Sequence, residues 1–162
     1  MSRATAFFCS KSCPGDIILN AQDWANGLTD TDPSVMSGFH TAIEKDVLRI
    51  LLRNKSPIVY TLARSSDGAR LPRAVREGEK NGHVEVVSPF SKAHKRTTAQ
   101  SAQQRNEYIL SRVDGVLIAH ASIGGKTEWL AGEAMRQGVS VFTFASEHNE
   151  NVLSLGATPL VN

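Results

Sequence analysis

Three short segments of this 162-residue chain hold residue types suited to gripping an anion. The first is Ser122-Ile123-Gly124-Gly125-Lys126-Thr127-Glu128. Its glycines let the backbone come close to a phosphate, the helix that follows offers unpaired N–H groups, and Lys126 adds a full positive charge. The plain alternative is a tight strand-to-helix turn with Thr127 near the helix cap. Gly125-Lys126-Thr127 looks like the end of a Walker A loop, but that loop needs Gly at position 120, where this chain has His. An ATPase or GTPase reading is therefore rejected. The second segment is Cys9-Ser10-Lys11-Ser12-Cys13-Pro14-Gly15, two hydroxyls and a Lys where a strand gives way to a helix, which suits an oxyanion. Its CxxxC spacing differs from the usual redox CxxC, and no GxGxxG fingerprint occurs, which disfavours a standard NAD site. The third is Arg105-Asn106, where a guanidinium fork faces phosphate or carboxylate, or else merely pairs with Glu107 or solvent. Ser37-Gly38-Phe39-His40 closes a further apolar run. Gly38 there permits close approach of backbone and ligand. His40 is either a site acid or base or a solvated loop residue, and Glu44 reads as a helix cap.

Positioning these segments requires a particular scaffold. Short apolar runs at residues 5–9, 34–37, 57–62, 83–88, 115–120 and 139–144 read as strands rich in Val, Ile and Phe, covered on both faces. Helical patterns lie between them. Ile17, Ala21, Trp24, Ala25 and Leu28 share one face of the first, with Pro14 at its first position and Gly27 at its end. Ile43, Val47, Ile50 and Leu51 share a face of the second, which opens on a Thr41–Glu44 capping box. A weaker helix covers 71–81, and a fourth begins at Thr97 or Thr98, with Thr97 and Gln100 at capping-box spacing. A fifth follows Gly125 and runs through Trp129, Leu130 and Met135 to Gln137, where Gly138 can end it. This alternation predicts a Rossmann-like, doubly wound α/β fold. It has a mainly parallel sheet of six or seven strands, with helices on both faces. Residues 64–70 form the least regular stretch.

Composition narrows the function. At 41% hydrophobic and 21% charged, the chain is neither collagen-like, disordered nor coiled-coil, and its length suits one domain over 1–162. Two cysteines with no second Cys or His pair argue against structural zinc and suggest a reducing compartment. No apolar run spans a bilayer, and residues 6–9 are too short for a signal-peptide core, so a cytoplasmic location is expected. The net charge of +2 is too small to prove a nucleic-acid partner. Yet residues 63–112 hold ten Lys/Arg against five Asp/Glu. That bias is either a solvated face or part of an anion site at the carboxyl ends of strands.

Together these segments resemble the Rossmann core of the DNA-processing protein A (DprA/Smf) family, within the superfamily shared with LOG-type and lysine-decarboxylase-like proteins. Gln104-Arg105-Asn106-Glu107-Tyr108-Ile109 looks like that family's Arg-Asn-Arg-x-Ile helix, and Asp114-Gly115-Val116-Leu117-Ile118 like its next strand. Ser122 to Thr127 is similar to its Ser-Gly-Ser loop, and Gln137-Gly138-Val139-Ser140-Val141-Phe142 to its Gly-Arg-x-Val-Phe strand. Asn151-Val152-Leu153-Ser154-Leu155-Gly156-Ala157 resembles its Asn-x-Leu-Ile-x-x-Gly-Ala ending. Ser10-Lys11-Ser12 stands where the family has Gly-Ser-Arg, and Ser37-Gly38 where it has Ser-Gly-x-Ala-Arg-Gly. The Ala-Arg-Gly-Ile-Asp continuation is replaced by Phe39-His40-Thr41-Ala42-Ile43-Glu44.

The resemblance implies a stand-alone module that binds phosphates of single-stranded DNA or a nucleotide, and a homodimer. The binding residues would be Ser10, Lys11, Ser12, Ser37, Gly38, Arg105, Ser122, Gly124, Gly125, Lys126 and Thr127. Neither a metal nor a cofactor is implied. Aromatics for base stacking are few (Phe39, Phe90, Tyr108), so poor sequence specificity is expected. Two alternatives remain. One is a small-nucleotide sensor. The other is a LOG-type nucleoside 5′-monophosphate phosphoribohydrolase, with Arg105, Glu128 and His40 as catalytic candidates. For the latter, Gly124-Gly125-Lys126-Thr127-Glu128 lacks the leading Pro and third Gly of the LOG motif and places its Glu two residues early.

Overall fold

The computed structural model describes residues 4–161. The strands are β1 (Ala4–Cys9), β2 (Val35–Ser37), β3 (Ile58–Thr61), β4 (Val84–Val87), β5 (Val113–His120), β6 (Ser140–Phe144) and β7 (Thr158–Leu160). The helices are α1 (Gly15–Asn26), α2 (Ala42–Asn54), α3 (Arg73–Asn81), α4 (Ala99–Leu110), α5 (Lys126–Arg136) and α6 (Glu150–Leu155). All seven strands join one sheet in the order β4-β3-β2-β1-β5-β6-β7, and every pairing is parallel. This is the doubly wound α/β fold expected from the alternation.

Alternation along the central strands builds two cores. Phe7 and Cys9 of β1, with Leu117 and Ala119 of β5, pack beneath α1, α2 and α3. Ala6 and Phe8, with Val116 and Ile118, pack beneath α4, α5 and α6. Side chains leave a strand on opposite faces at successive residues, so a strand buried on both faces must be apolar throughout. Phe7 is fully buried and stacks on Trp24 of α1 with ring centroids 5.3 Å apart. Truncating Phe7 to Ala would cost about 3–5 kcal/mol.

The strand order reverses between β1 and β5. The connection leaving β1 crosses one face through α1, and the connection leaving β5 crosses the other face through α5. Loops leaving the two strands therefore diverge and open a crevice at their carboxyl ends, where ligands bind in such sheets. The β1–β5 register also shifts between Phe8 and Cys9. Such an irregularity re-aims the residues that follow it.

Several local expectations are corrected. The capping box of α4 is Thr98 with Ser101, not Thr97 with Gln100: Thr98 Oγ1 accepts from Ser101 N (3.0 Å), and Ser101 Oγ accepts from Thr98 N (2.8 Å). A short Ser hydroxyl completes the reciprocal pair as well as a longer acid would. Pro14 caps α1 rather than opening it, and Gly125, not Thr127, caps α5. Helix α6 and strand β7 follow the last element read from the sequence. Pro159 is tolerated in β7 because β7 is an edge strand.

Candidate functional site

The crevice is built by three segments. At the end of β1, Ser10 N donates to His120 O (2.9 Å), and Ser10 Oγ accepts from Ser122 N (2.9 Å). These bonds stitch the β1–α1 turn to the β5–α5 loop across the switch point. That loop turns back at Gly124, whose φ of 74° is a left-handed conformation suited to glycine. It closes where Gly125 N donates to Ser122 O (3.0 Å). Gly125 caps α5 without a side chain, so the N–H groups of Lys126 and Thr127 have no acceptor among the described residues. They carry the partial positive charge of a helix start.

Glu44 is the brace. Its Oε1 accepts from His40 N (2.8 Å) and Thr41 N (3.2 Å), and its Oε2 accepts from Cys9 N (3.1 Å). The capping role read from the sequence is correct, and the same carboxylate also ties α2 to β1.

Arg105 is not a surface residue: it is only 6% exposed. Its Nε donates to Asn106 Oδ1 (2.7 Å) and its Nη1 to Thr61 O (3.4 Å), while Nη2 has no acceptor among the described residues. Burial lowers its pKa from the ordinary value, and attraction to Glu44 and Tyr60 raises it in part. An arginine remains charged through such a shift. Gly38 lies directly against the guanidinium: a Cβ there would sit 2.1 Å from Arg105 Cζ. The glycine expected to admit a ligand instead admits this side chain.

These parts meet in a cavity of about 610 Å³ lined by Ser10, Lys11, His40, Arg105, Ser122, Gly125, Lys126 and Thr127. Neither Lys11 nor Lys126 pairs with a described acid.

Other candidates lie elsewhere. Ser12 and Gly124 are exposed and do not line the cavity. Ser37 is fully buried and its Oγ accepts from Phe39 N (3.0 Å), a structural turn. Glu128 turns away from the cavity: its Oε1 accepts from Gly124 N (3.2 Å) and its Oε2 from Asn151 Nδ2 (2.6 Å). None of the three aromatics read as base platforms lines the cavity. Phe39 is buried against Tyr60, Phe90 packs on His94, and Tyr108 lies under the Arg112 guanidinium.

Trp129, read from the sequence as a helix-face residue only, does line the cavity and is 46% exposed. Its spacing of three from Lys126 puts both on one side of α5, and that was the signal available. Thr97, just before the cap of α4, and Gln103 within that helix also line the cavity. The segment before them carries Lys92, Lys95 and Arg96, all exposed. Among the described residues no cluster could hold a metal ion, and no helix is long and apolar enough to cross a membrane.

A doubly wound parallel sheet of this strand order defines the Rossmann-like α/β fold class. Neither a family model nor a curated protein sequence matches the chain. Solved structures do. The chain is similar to DNA processing protein A from Streptococcus pneumoniae at 17% identity and a TM-score of 0.79, covering 98% of this chain and 58% of that one. It is similar to DNA processing protein A from Helicobacter pylori, which binds single-stranded DNA, at 15% identity and a TM-score of 0.78, covering 99% and 76%. It is also similar to a molybdenum cofactor binding protein from Rippkaea orientalis, at 10% identity and a TM-score of 0.68, covering 100% and 90%. The chain thus has the Rossmann-like fold of the DprA structures and spans less than two thirds of the S. pneumoniae protein.

Proposed function

We propose that the cavity between β1 and β5 binds phosphate groups of single-stranded DNA or of a nucleotide. The observation that carries this reading is convergence. Ser10 with Lys11, Arg105, and Gly125 with Lys126 and Thr127 come from three distant parts of the chain and line one cavity. Unused N–H groups at the start of α5 and three cations favour an anion with several acceptor oxygens. The opposing charge, Glu44, is spent on three backbone N–H groups. The cavity volume, about 610 Å³, suits a small organic ligand, since such sites run roughly 300–1,000 Å³. The indole of Trp129 offers a base a stacking face of the sequence-tolerant kind.

Two features favour the polymer over the free nucleotide. The exposed bases Lys92, Lys95 and Arg96 precede the cavity-lining Thr97, so further phosphates would meet positive charge on leaving the cavity. The fold is also that of the H. pylori protein, which binds single-stranded DNA. Glycosidic-bond hydrolysis is not part of this reading, because both nearby carboxylates, Glu44 and Glu128, are held by hydrogen bonds to the protein itself.

Fluorescence anisotropy with a labelled single-stranded oligonucleotide over a salt series tests the proposal. If Lys11, Arg105 and Lys126 each neutralise one phosphate, log K falls against log[salt] with a slope of about −2. Sequence preference is weak. Absence of binding at low salt, with the fold intact, overturns the DNA reading. A nucleotide that then raised the melting temperature would assign the cavity to the small ligand. Release of free adenine from AMP would overturn the binding-only reading.

A further inference from the structure

Cys9 and Cys13 are the only cysteines of the chain, and nothing in the phosphate-binding reading uses their thiols. Cys9, the last residue of β1, is 2% exposed and lines the cavity. Cys13, next to the cap of α1, is half-buried and packs against the apolar cluster that contains Cys9. Between the two lies the turn that presents Ser10 and Lys11. We propose that Cys9 and Cys13 are an oxidisable pair, converted by a hydroperoxide into an intramolecular disulfide that clamps the turn of residues 10–12.

The two sulfurs have different roles. Hydrogen bonding with Cys9 lowers the pKa of the Cys13 thiol, and burial and the nearby Asp16 on α1 oppose that in part. The Cys9 thiol is pushed up by its hydrogen bond with Cys13, by burial and by Glu44 on α2, and so stays protonated. The more exposed, more acidic sulfur is the one that reacts first, since the thiolate is the nucleophile. Cys13 sulfur attacks one peroxide oxygen and the O–O bond breaks. This leaves a sulfenic acid on Cys13 and releases water or an alcohol. Cys9 sulfur then attacks Cys13 sulfur. The S–S bond forms, the S–O bond breaks, and the hydroxide leaves as water with the Cys9 proton. Two thiols lose two electrons, and the peroxide gains them.

The ring closed by this bond contains every residue of the turn. Ser10 within it holds Ser122 N, so the clamp acts on the link between the β1 and β5 loops. The effect on binding rests on the proposed phosphate site, whereas the thiol chemistry does not.

The full chain is treated with hydrogen peroxide, and free thiols are titrated after denaturation. The expected result is loss of both thiols, a monomer lighter by two hydrogens, and recovery on reduction. Cys9→Ser, or Cys9→Ala if that variant folds poorly, halts at a Cys13 sulfenic acid trapped by dimedone. Cys13→Ser leaves Cys9 reduced. The proposal is overturned if both thiols survive peroxide, if only intermolecular disulfides form, or if Cys13→Ser loses its thiol as fast as the parent. Oxidation is further expected to change oligonucleotide affinity several-fold, reversibly. Equal affinity of the two forms removes the clamp. If the reduced chain binds no oligonucleotide, the site reading fails while the thiol results still decide the chemistry.

Discussion

Replacing Gly38 by Ala tests how the guanidinium of Arg105 is seated. The added methyl carbon would lie 2.1 Å from Arg105 Cζ and 2.1 Å from Nη1. Non-bonded carbons rest about 3.5–4.0 Å apart, so the guanidinium must retreat by more than 1 Å, roughly the difference between these distances. Retreat breaks the 3.4 Å bond to Thr61 O and strains the 2.7 Å bond to Asn106. Hydrogen bonds to a charged group are worth about 1.5–3 kcal/mol. The Thr61 bond is long, and the guanidinium can swing into the cavity. Gly38→Ala is therefore expected to destabilise the fold by about 1–2 kcal/mol in urea unfolding. It should also weaken oligonucleotide binding if the proposed site is correct, because the fork would be displaced from its seat beside the cavity. In an Arg105→Ala background the three atoms nearest the added methyl are gone, and most of its cost should go with them, giving a coupling energy of about 1–2 kcal/mol in a double-mutant cycle. An equal cost of Gly38→Ala in both backgrounds would refute the reasoning, because the clash would then be with something other than Arg105.

Trp129→Ala should weaken oligonucleotide binding by about 1–3 kcal/mol if a base stacks there, with little change in melting temperature because the ring is 46% exposed. Unchanged affinity would remove Trp129 from the site. Thr61 Oγ1 is buried with no partner among the described residues. Thr61→Val should leave urea stability equal or raise it by up to about 1 kcal/mol, and a clear loss would mean the hydroxyl is satisfied. Asp16 has its pKa lowered, chiefly by the Ser146 hydroxyl and then by His148. A depressed carboxyl contributes stability above its unfolded pKa, about 3.9, and loses it as pH falls through the folded value. The stability gap between parent and Asp16→Asn should therefore hold near neutrality and close below about pH 4, as read by urea unfolding across pH.

The sheet was legible in the sequence because strands buried on both faces read as short apolar runs between helical patterns. Residues 5–9 and 115–120 found β1 and β5 within two residues of their ends. β7 was not legible: it is three residues long, contains Pro159 and is mostly exposed, so it shows no alternation. The meeting of the Ser10 turn and the Lys126 turn was legible because topology sends loops after central strands to one end of the sheet, whereas Arg105 reaches the same cavity from within α4. Which neighbours face that cavity depends on local geometry that no spacing encodes. Ser12 and Ser37 flank the right turns, yet one is exposed outside the cavity lining and the other is swallowed by the core. Gly38 has a role set by a side chain from α4, and Glu128 is drawn off by Asn151 of α6, a helix absent from the sequence reading.

A crystal structure of the chain with a short single-stranded oligonucleotide or a nucleotide would test most directly whether the two loops and Arg105 of α4 share one anion. The expected result is a phosphate within hydrogen-bond reach of Lys126 N–H and Thr127 N–H, with Lys11 and Arg105 directed at the same group or its neighbour. A phosphate held elsewhere, for instance by the arginines of α3, with the β1–β5 cavity left to solvent, would contradict it.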